Sequence, residues 1–181
     1  DKLKKFSNKV RSDKTLFIVI SKSGNTIETL SNFIALKIIK KNSKNIVIIS
    51  EKNNNSLYRL SKKMKLKHIE HKHYIGGRYS VLSEVGMLPA ELMGLKSSNF
   101  RQLNNLIKNK KFINSLIKNV SSTLYFIKQK KFNSVIINYD ERSESLFNWY
   151  QQLIAESLGK KKKGLLPIVS NMPKDNHSTM Q

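Results

Sequence analysis

The chain has 181 residues, no cysteine and a formal net charge of +22 at pH 7. Without cysteine it forms neither a disulfide framework nor a thiolate metal site, and no apolar run approaches membrane-spanning length, so we expect a soluble cytoplasmic protein with no membrane partner. The 34 lysines and arginines are spread from end to end without a base-reading motif. The charge therefore indicates attraction of small anions rather than nucleic acid binding.

The first predicted element is a strand over Leu16–Ile20, whose apolar residues show no alternation. Such a run is typical of a parallel sheet covered on both faces. The loop SKSGNT follows at 21–26, and apolar residues then recur with helical spacing to about Lys41. A loop between a strand and a helix start offers free N–H groups to an anion. Its three hydroxyls, one cation and one glycine suit a phosphate monoester, whereas a simple helix cap needs only one such residue.

A second apolar strand is predicted over Asn45–Ser50, and with the first strand and its helix it forms a βαβ unit. A polar, extended segment follows at 68–75, and Gly76–Gly77 ends it. Pro89 is expected to kink or interrupt the helix in which it lies. Helices in this middle part are predicted over 53–64, 80–95, 100–111 and 112–128.

The last third of the chain is predicted to contain strand 133–139, helix 142–158 and strand 165–170. The order of elements predicts an α/β fold class, with parallel-sheet βαβ units in two lobes joined by a helical segment. Three domains are predicted. Residues 1–78 form the remaining part of a first lobe, which includes the phosphate loop. Residues 79–130 form a helical connection, and residues 131–181 form the start of a second lobe.

Three further segments carry residues that can do chemistry: GGRYS at 76–80, AESLGK at 155–160 and DNH at 175–177. A Gly-Gly pair before a helix is often only a turn, and an arginine beside it is most often solvated. A lone histidine in a loop usually lies at the surface. Glu156 lies near a predicted helix C terminus, against the preference of the helix dipole. Each segment alone leaves the structural and the functional interpretation open.

Together and in this order, the segments resemble the glucose-6-phosphate isomerase family, sugar isomerases with the SIS fold. ISKSGNTIET is similar to the family's sugar-phosphate loop, GGRYSVLSEVGMLPAEL to its GGR-[YF]-S signature, and WYQQLIAESLGK to its QQLxxESxGK segment. LPIVSNMPKDNHSTMQ is similar to the short bacterial form of the segment that carries a histidine. One departure is the loop, SKSGNT, where many members have SKTFTT. The Gly form is nearer to generic SIS domains.

The resemblance implies an enzyme that interconverts glucose 6-phosphate and fructose 6-phosphate through a cis-enediol intermediate, in glycolysis and gluconeogenesis, without metal or cofactor. Glu156 matches the general base and Arg78 the residue that stabilises the enediolate. His177 matches the histidine that assists ring opening. The implied substrate is a carbohydrate derivative with a phosphate group. The residues that match the family's phosphate-binding positions are Ser21, Lys22, Ser23 and Thr26.

The resemblance also implies a homodimer whose site is shared between subunits, because the family's histidine comes from the neighbouring subunit. We expect the chain to be a fragment, with a glycine-rich strand before Asp1 and a catalytic lysine beyond Gln181. The alternative is a non-catalytic SIS module that binds a phosphosugar, which would explain the loop but neither GGRYS nor ESLGK. An isomerase of amino sugars is disfavoured by the ESxGK segment. A nucleic-acid-binding protein would be recognised by a salt titration, because binding to a phosphate backbone weakens steeply with salt.

Overall fold

The structure, a computed structural model, describes residues 5–6, 9–160 and 164–180. It divides into two compact units, Asp1–Arg101 and Gln102–Gln181. Each unit combines helices with parallel strands, so the predicted α/β fold class with βαβ units is confirmed. The segment 79–130, for which a connecting role was predicted, contributes residues to both units.

The first unit contains a parallel sheet of β1 (Phe17–Ile20), β2 (Ile46–Ser50) and β3 (Lys67–Glu70), in that order. Helix α1 (Ile27–Ala35) connects β1 to β2, and helix α2 (Ser56–Met64) connects β2 to β3. Because all three strands run in the same direction, their carboxyl ends meet at one edge of the sheet. The residues that follow these ends are therefore neighbours in space, and this edge is where parallel sheets bind ligands.

The core of the first unit is formed by apolar side chains of the strands and of the two helices that connect them. Ile46, Ile48 and Leu57 are completely enclosed. Burial of each such side chain contributes roughly 1.5–3 kcal/mol. The buried cluster consists of Val19, Phe33, Ile46, Ile48, Leu57 and Leu66.

Helix α1 ends six residues earlier than its apolar spacing predicts. It stops at Ala35 rather than near Lys41, and Lys37 adopts a left-handed conformation with φ of 53°. Ile38 and Ile39 nevertheless pack against the buried cluster from the segment that follows the helix. The helical spacing at these positions therefore reflects burial in the core and not continued helix.

The helical run predicted over 80–95 is interrupted, as expected, but at Ser83 and not at Pro89. A 3-10 helix covers Gly77–Leu82, Ser83 is extended, and α3 covers Glu84–Leu92. The Ser83 hydroxyl caps α3 by accepting from the Val85 N–H at 3.4 Å. Pro89 lies inside α3, so the interruption that we predicted at the proline occurs six residues before it.

The helical middle of the chain has its joint at Asn109 instead of between residues 111 and 112. The Asn109 side-chain oxygen accepts from the N–H groups of Lys111 and Phe112 at 3.0 and 3.2 Å, and so caps the helix that follows. No helix in the described ranges is both long and apolar enough to cross a bilayer. The helices here are α4 (Ser97–Phe100), α5 (Asn104–Lys108) and α6 (Lys110–Lys128).

The second unit contains a two-stranded parallel sheet of β4 (Asn133–Asn138) and β5 (Leu166–Asn171). Helix α7 (Glu144–Leu158) connects the two strands, which gives the predicted βαβ unit. Gln151 fastens this helix to the sheet, because its side-chain amide donates to the backbone oxygen of the buried Pro167 at 2.9 Å. A short helix, α8 (Asn176–Thr179), follows β5.

Candidate functional site

The loop at residues 21–26 is closed by hydrogen bonds between its own hydroxyls and backbone. The hydroxyls of Ser21 and Thr26 lie 2.8 Å apart, and the Gly24 N–H donates to the Ser21 hydroxyl at 3.1 Å. Ser21 itself is buried, and its N–H donates to the Ile49 backbone oxygen of the neighbouring strand. The strand therefore holds the base of the loop in place, while Ser23 and Thr26 are exposed at its surface.

The N terminus of α1 has no side-chain cap. Thr26 occupies the N-cap position without making a capping hydrogen bond. By contrast, α2 at the same sheet edge is capped, because Tyr58 N–H donates to Asn55 Oδ1 at 2.8 Å and Ser56 N–H to Asn25 Oδ1 at 2.9 Å. The first-turn N–H groups of α1 and its helix dipole are thus directed at the space above the loop, an arrangement that favours an anion.

Gly24 is required by both conformation and space. Its φ is +66°, a left-handed conformation, and a Cβ built on it would lie 1.8 Å from Asn55 Oδ1. Asn55 is only 2 % exposed and also donates to the Glu51 backbone oxygen at 2.7 Å, so it has no room to move away. The loop and the start of α2 therefore fit together only with glycine at this position.

We expect Gly24→Ala to lower the free energy of unfolding by roughly 1–3 kcal/mol, because the added methyl group collides with Asn55 and strains the backbone. The midpoint of urea unfolding measures this loss. Gly77→Ala is the matched control, since a Cβ there meets no atom within 4 Å and φ is not left-handed. Equal midpoints for both variants would contradict the packing that we describe around Gly24.

Lys22 links the loop to the segment that carries Arg78. Its ammonium donates to the His73 backbone oxygen at 3.1 Å and lies 3.6 Å from a Glu51 carboxylate oxygen. The phosphate contact predicted for Lys22 stays a prediction. The structure adds a second role, because the same ammonium ties two neighbouring segments at the carboxyl edge of the sheet.

Arg78 is half-buried in the 3-10 helix Gly77–Leu82, in the same unit as the loop. The sequence analysis did not single out His71, which directly follows β3 and is 1 % exposed. Its ring pairs with Glu84 at the start of α3 and with the Ile75 backbone oxygen. In the sequence, His71 is only a histidine after a strand, and Glu84 is only an acidic residue in the first turn of a helix. Their pairing becomes visible only in the fold.

His68 and His71 do not form a metal site with His73. His68 lies on β3, where its Nε2 is 3.0 Å from the Ser50 hydroxyl. Burial, and then the nearby Lys62 ammonium, lower the pKa of His68 below its ordinary value. Across the part of the chain that the structure describes, no group of three or more His, Asp or Glu side chains is placed to hold a metal ion.

Glu156 lies on the last turn of α7 with its carboxylate exposed. One turn earlier, the side-chain amide of Gln152 donates to Glu156 Oε1 at 2.9 Å. The sequence analysis did not assign Gln152 a role, although it belongs to the quoted QQLxxESxGK match. The amide thereby orients the carboxylate through one of its oxygens.

His177 is exposed on α8, which follows β5 in the second unit. Two hydrogen bonds hold this short helix: Asn171 N–H donates to an Asp175 carboxylate oxygen at 2.8 Å, and the hydroxyls of Ser170 and Thr179 are 2.7 Å apart. Within the described ranges, no hydrogen bond joins His177 to Glu156. The predicted site residues are thus divided between the units, with the loop and Arg78 in the first and Glu156 and His177 in the second.

Comparison with known proteins gives a consistent result. The family model for phosphoglucose isomerase matches residues 1–169. Glucose-6-phosphate isomerase of Methanocaldococcus jannaschii is 35% identical over 96% of this chain, and that of Campylobacter jejuni is 29% identical over 96%. The chain spans 45% of the length of each of these curated relatives.

A solved structure has the same fold. The crystal structure of a hypothetical protein from Thermus thermophilus superposes with a TM-score of 0.81 and 27% sequence identity, over all of this chain and 47% of that one. The family match covers most of the chain and includes the loop, the GGRYS segment and the helix that carries Glu156. On this evidence the chain belongs to the phosphoglucose isomerase family.

Proposed function

We propose that the protein containing this chain interconverts glucose 6-phosphate and fructose 6-phosphate. The observation that carries the proposal is the loop at 21–26, where exposed hydroxyls stand before a helix N terminus that no side chain caps. This arrangement suits a phosphate monoester. Family membership selects a sugar phosphate among such ligands, and the names of the curated relatives select glucose 6-phosphate, whose aldose–ketose isomer is fructose 6-phosphate.

Binding of the phosphate serves to orient the sugar. The phosphate oxygens accept from the hydroxyls of Ser23 and Thr26 and from the first-turn N–H groups of α1. The Ser21 hydroxyl holds that of Thr26 in place by a hydrogen bond. Lys22 contributes positive charge beside them. Because the phosphate is remote from the reacting carbons, this binding energy holds the other end of the sugar in the reactive geometry.

The chemical step is the transfer of one proton between neighbouring carbons. Glu156 removes the proton from C2 of open-chain glucose 6-phosphate, and the C–H electron pair forms the C1–C2 double bond of a cis-enediolate. Arg78 stabilises the negative charge that develops on oxygen. The proton of the C2 hydroxyl passes to O1, and return of the carbon-bound proton to C1 then gives fructose 6-phosphate with its carbonyl group at C2. An exposed carboxylate held by the Gln152 amide at one oxygen suits this proton transfer at the other.

His177 assists opening of the sugar ring by proton transfer, in a homodimer whose subunits share residues. This reaction gives the protein a place in glycolysis and gluconeogenesis, in the cytoplasm. The proposal for His177 is supported by its exposure on α8 and by the position of the DNH segment in the chain.

The proposal is tested by assaying the full-length protein for conversion in both directions and by competition with inorganic phosphate. We expect Ser23→Ala and Thr26→Ala each to lower kcat/KM by about 10–100-fold, since a hydrogen bond to a charged group contributes roughly 1.5–3 kcal/mol. Ser31→Ala, on the exposed side of α1, is the matched control.

Competitive inhibition by phosphate, weakened in both loop variants but not in Ser31→Ala, supports the assignment of the loop. Tight binding of the sugar phosphate without turnover would instead identify a non-catalytic SIS module. Absence of both binding and inhibition would mean that the loop is only a turn before a helix.

A further inference from the structure

A contact between the buried His71 ring and the partly buried Glu84 carboxyl group closes the segment that carries Arg78. We propose that His71 and Glu84 are positioning residues, which hold Arg78 in the geometry that stabilises the enediolate. This inference rests on the function proposed above. The two residues flank the segment 72–83, and Arg78 lies halfway between them in the 3-10 helix Gly77–Leu82.

The His71 ring is completely engaged. Its Nδ1 pairs with the Glu84 carboxylate, and its Nε2 donates to the Ile75 backbone oxygen at 3.1 Å. A backbone oxygen can only accept, so Nε2 carries a proton, and one further proton lies between Nδ1 and the Glu84 carboxyl group. The ring itself is 1 % exposed. Loss of Glu84 would leave Nδ1 buried without a hydrogen-bond partner, which is unfavourable.

Four of the five large apolar or aromatic side chains in the segment are exposed. Tyr74, Tyr79, Val81 and Leu82 are 74, 67, 44 and 52 % exposed. Some hydrogen bonds within the segment are local, such as the Tyr79 N–H to the Gly76 oxygen at 2.9 Å. Local turns of this kind shape a segment but do not anchor it to the fold.

Polar anchors lie at both ends of the segment. The His71 N–H donates to the Ser50 backbone oxygen at 2.9 Å, which fixes the start of the segment to β2. Lys22 donates to the His73 oxygen at 3.1 Å and joins the segment to the phosphate loop. Glu84 is the first residue of α3, so its contact with His71 fixes the far end of the segment. Arg78 is thus placed with respect to the loop through His71, Glu84 and Lys22.

At the other end, α3 also approaches the 3-10 helix closely. A Cβ on Gly86 would lie 2.0 Å from the Val81 backbone oxygen, so only glycine permits this approach. The contact is between backbone atoms and sets the distance between the two helices. The contact between His71 and Glu84 adds a second connection, which joins the start of α3 to the end of β3.

The kinetic test uses Glu84→Ala in the full-length protein, with Glu91→Ala as the matched control. Glu91 lies on the same helix, is exposed and is outside the closed segment. We expect Glu84→Ala to lower kcat by about 10²-fold, the cost of displacing a catalytic group by about 1 Å. KM should change little, since the loop at 21–26 is untouched. Glu84→Gln, which keeps an oxygen acceptor for Nδ1, should recover part of kcat.

A double-mutant cycle with Arg78→Ala separates positioning from a general loss of stability. If Glu84 acts through Arg78, adding Glu84→Ala to Arg78→Ala causes no further loss of kcat. Losses that multiply would overturn the inference, even if unfolding measurements show that Glu84 stabilises the protein. A wild-type protein without isomerase activity would overturn the proposed function.

Amide hydrogen exchange tests the closure of the segment independently of activity. We expect Glu84→Ala to accelerate exchange in residues 72–83, while the protection of β1 and β2 stays as in the wild type. Unchanged exchange in 72–83 would overturn the inference and leave the proposed function standing. Faster exchange everywhere would mean that the pair stabilises the whole unit, which also overturns the positioning role.

Discussion

Glu156→Gln is expected to lower kcat for isomerisation by about 10²–10⁴-fold, the usual contribution of general acid–base catalysis. KM for the sugar phosphate should stay close to the wild-type value, because the phosphate loop lies in the other unit of the chain. The glutamine amide has no basic oxygen that can carry a proton between C2 and C1. Its carbonyl oxygen can still accept from Gln152, so the helix and the direction of the side chain are preserved.

The measurement is steady-state kinetics in both directions on protein whose unfolding midpoint matches the wild type. Glu141→Gln is a suitable control, since it changes another exposed carboxylate of the second unit. A Glu156→Gln enzyme with wild-type kcat would assign the proton transfer to a different group. An equal loss in Glu141→Gln would indicate an effect of net charge.

Arg78→Lys is expected to lower kcat by about 10²–10³-fold, as when one preorganised donor to a developing oxyanion is removed. Lysine keeps the positive charge but loses the planar fork of the guanidinium and its hydrogen-bond directions. Because the enediolate forms after ring opening, cyclic and open-chain substrates should be slowed alike. Arg142→Lys, at an exposed arginine of the second unit, is the control.

His177→Ala provides the complementary result. If His177 assists ring opening, its loss should slow the cyclic sugar phosphate much more than an open-chain analogue that bypasses this step. The comparison of kcat on the two substrate forms distinguishes the role of His177 from that of Arg78. Equal damage on both forms by His177→Ala would remove the ring-opening role.

The elements that frame the phosphate loop could be predicted from local sequence, because each has a strong local cause. The central strand Ile46–Ser50 is an apolar run because it is enclosed on both sides, and the hydroxyl-rich loop is followed at once by helical periodicity. Helix ends without such a cause were misplaced. The end of α1 at Ala35 interrupts apolar spacing that continues beyond it, since Ile38 and Ile39 also pack on the core. The apolar spacing likewise continues across the break at Ser83.

The catalytic assignments came from motif resemblance, whereas the groups that support them needed the fold. Gln152 stands one turn before Glu156, a spacing that could have been noticed on a helix. The pairing of His71 with Glu84 could not, because thirteen positions separate them and the chain between is irregular. Only the placement of β3 beside β2 buries His71 and thereby makes its polar partners necessary.

The central claim is that this family member moves a sugar proton with Glu156, and transfer of solvent deuterium to carbon tests it most directly. Fructose 6-phosphate is incubated with the full-length protein in D2O, and NMR follows the label. We predict that the wild type produces glucose 6-phosphate that carries deuterium at C2, whereas Glu156→Gln gives neither conversion nor exchange above the uncatalysed rate. Exchange by Glu156→Gln at the wild-type rate would contradict the account.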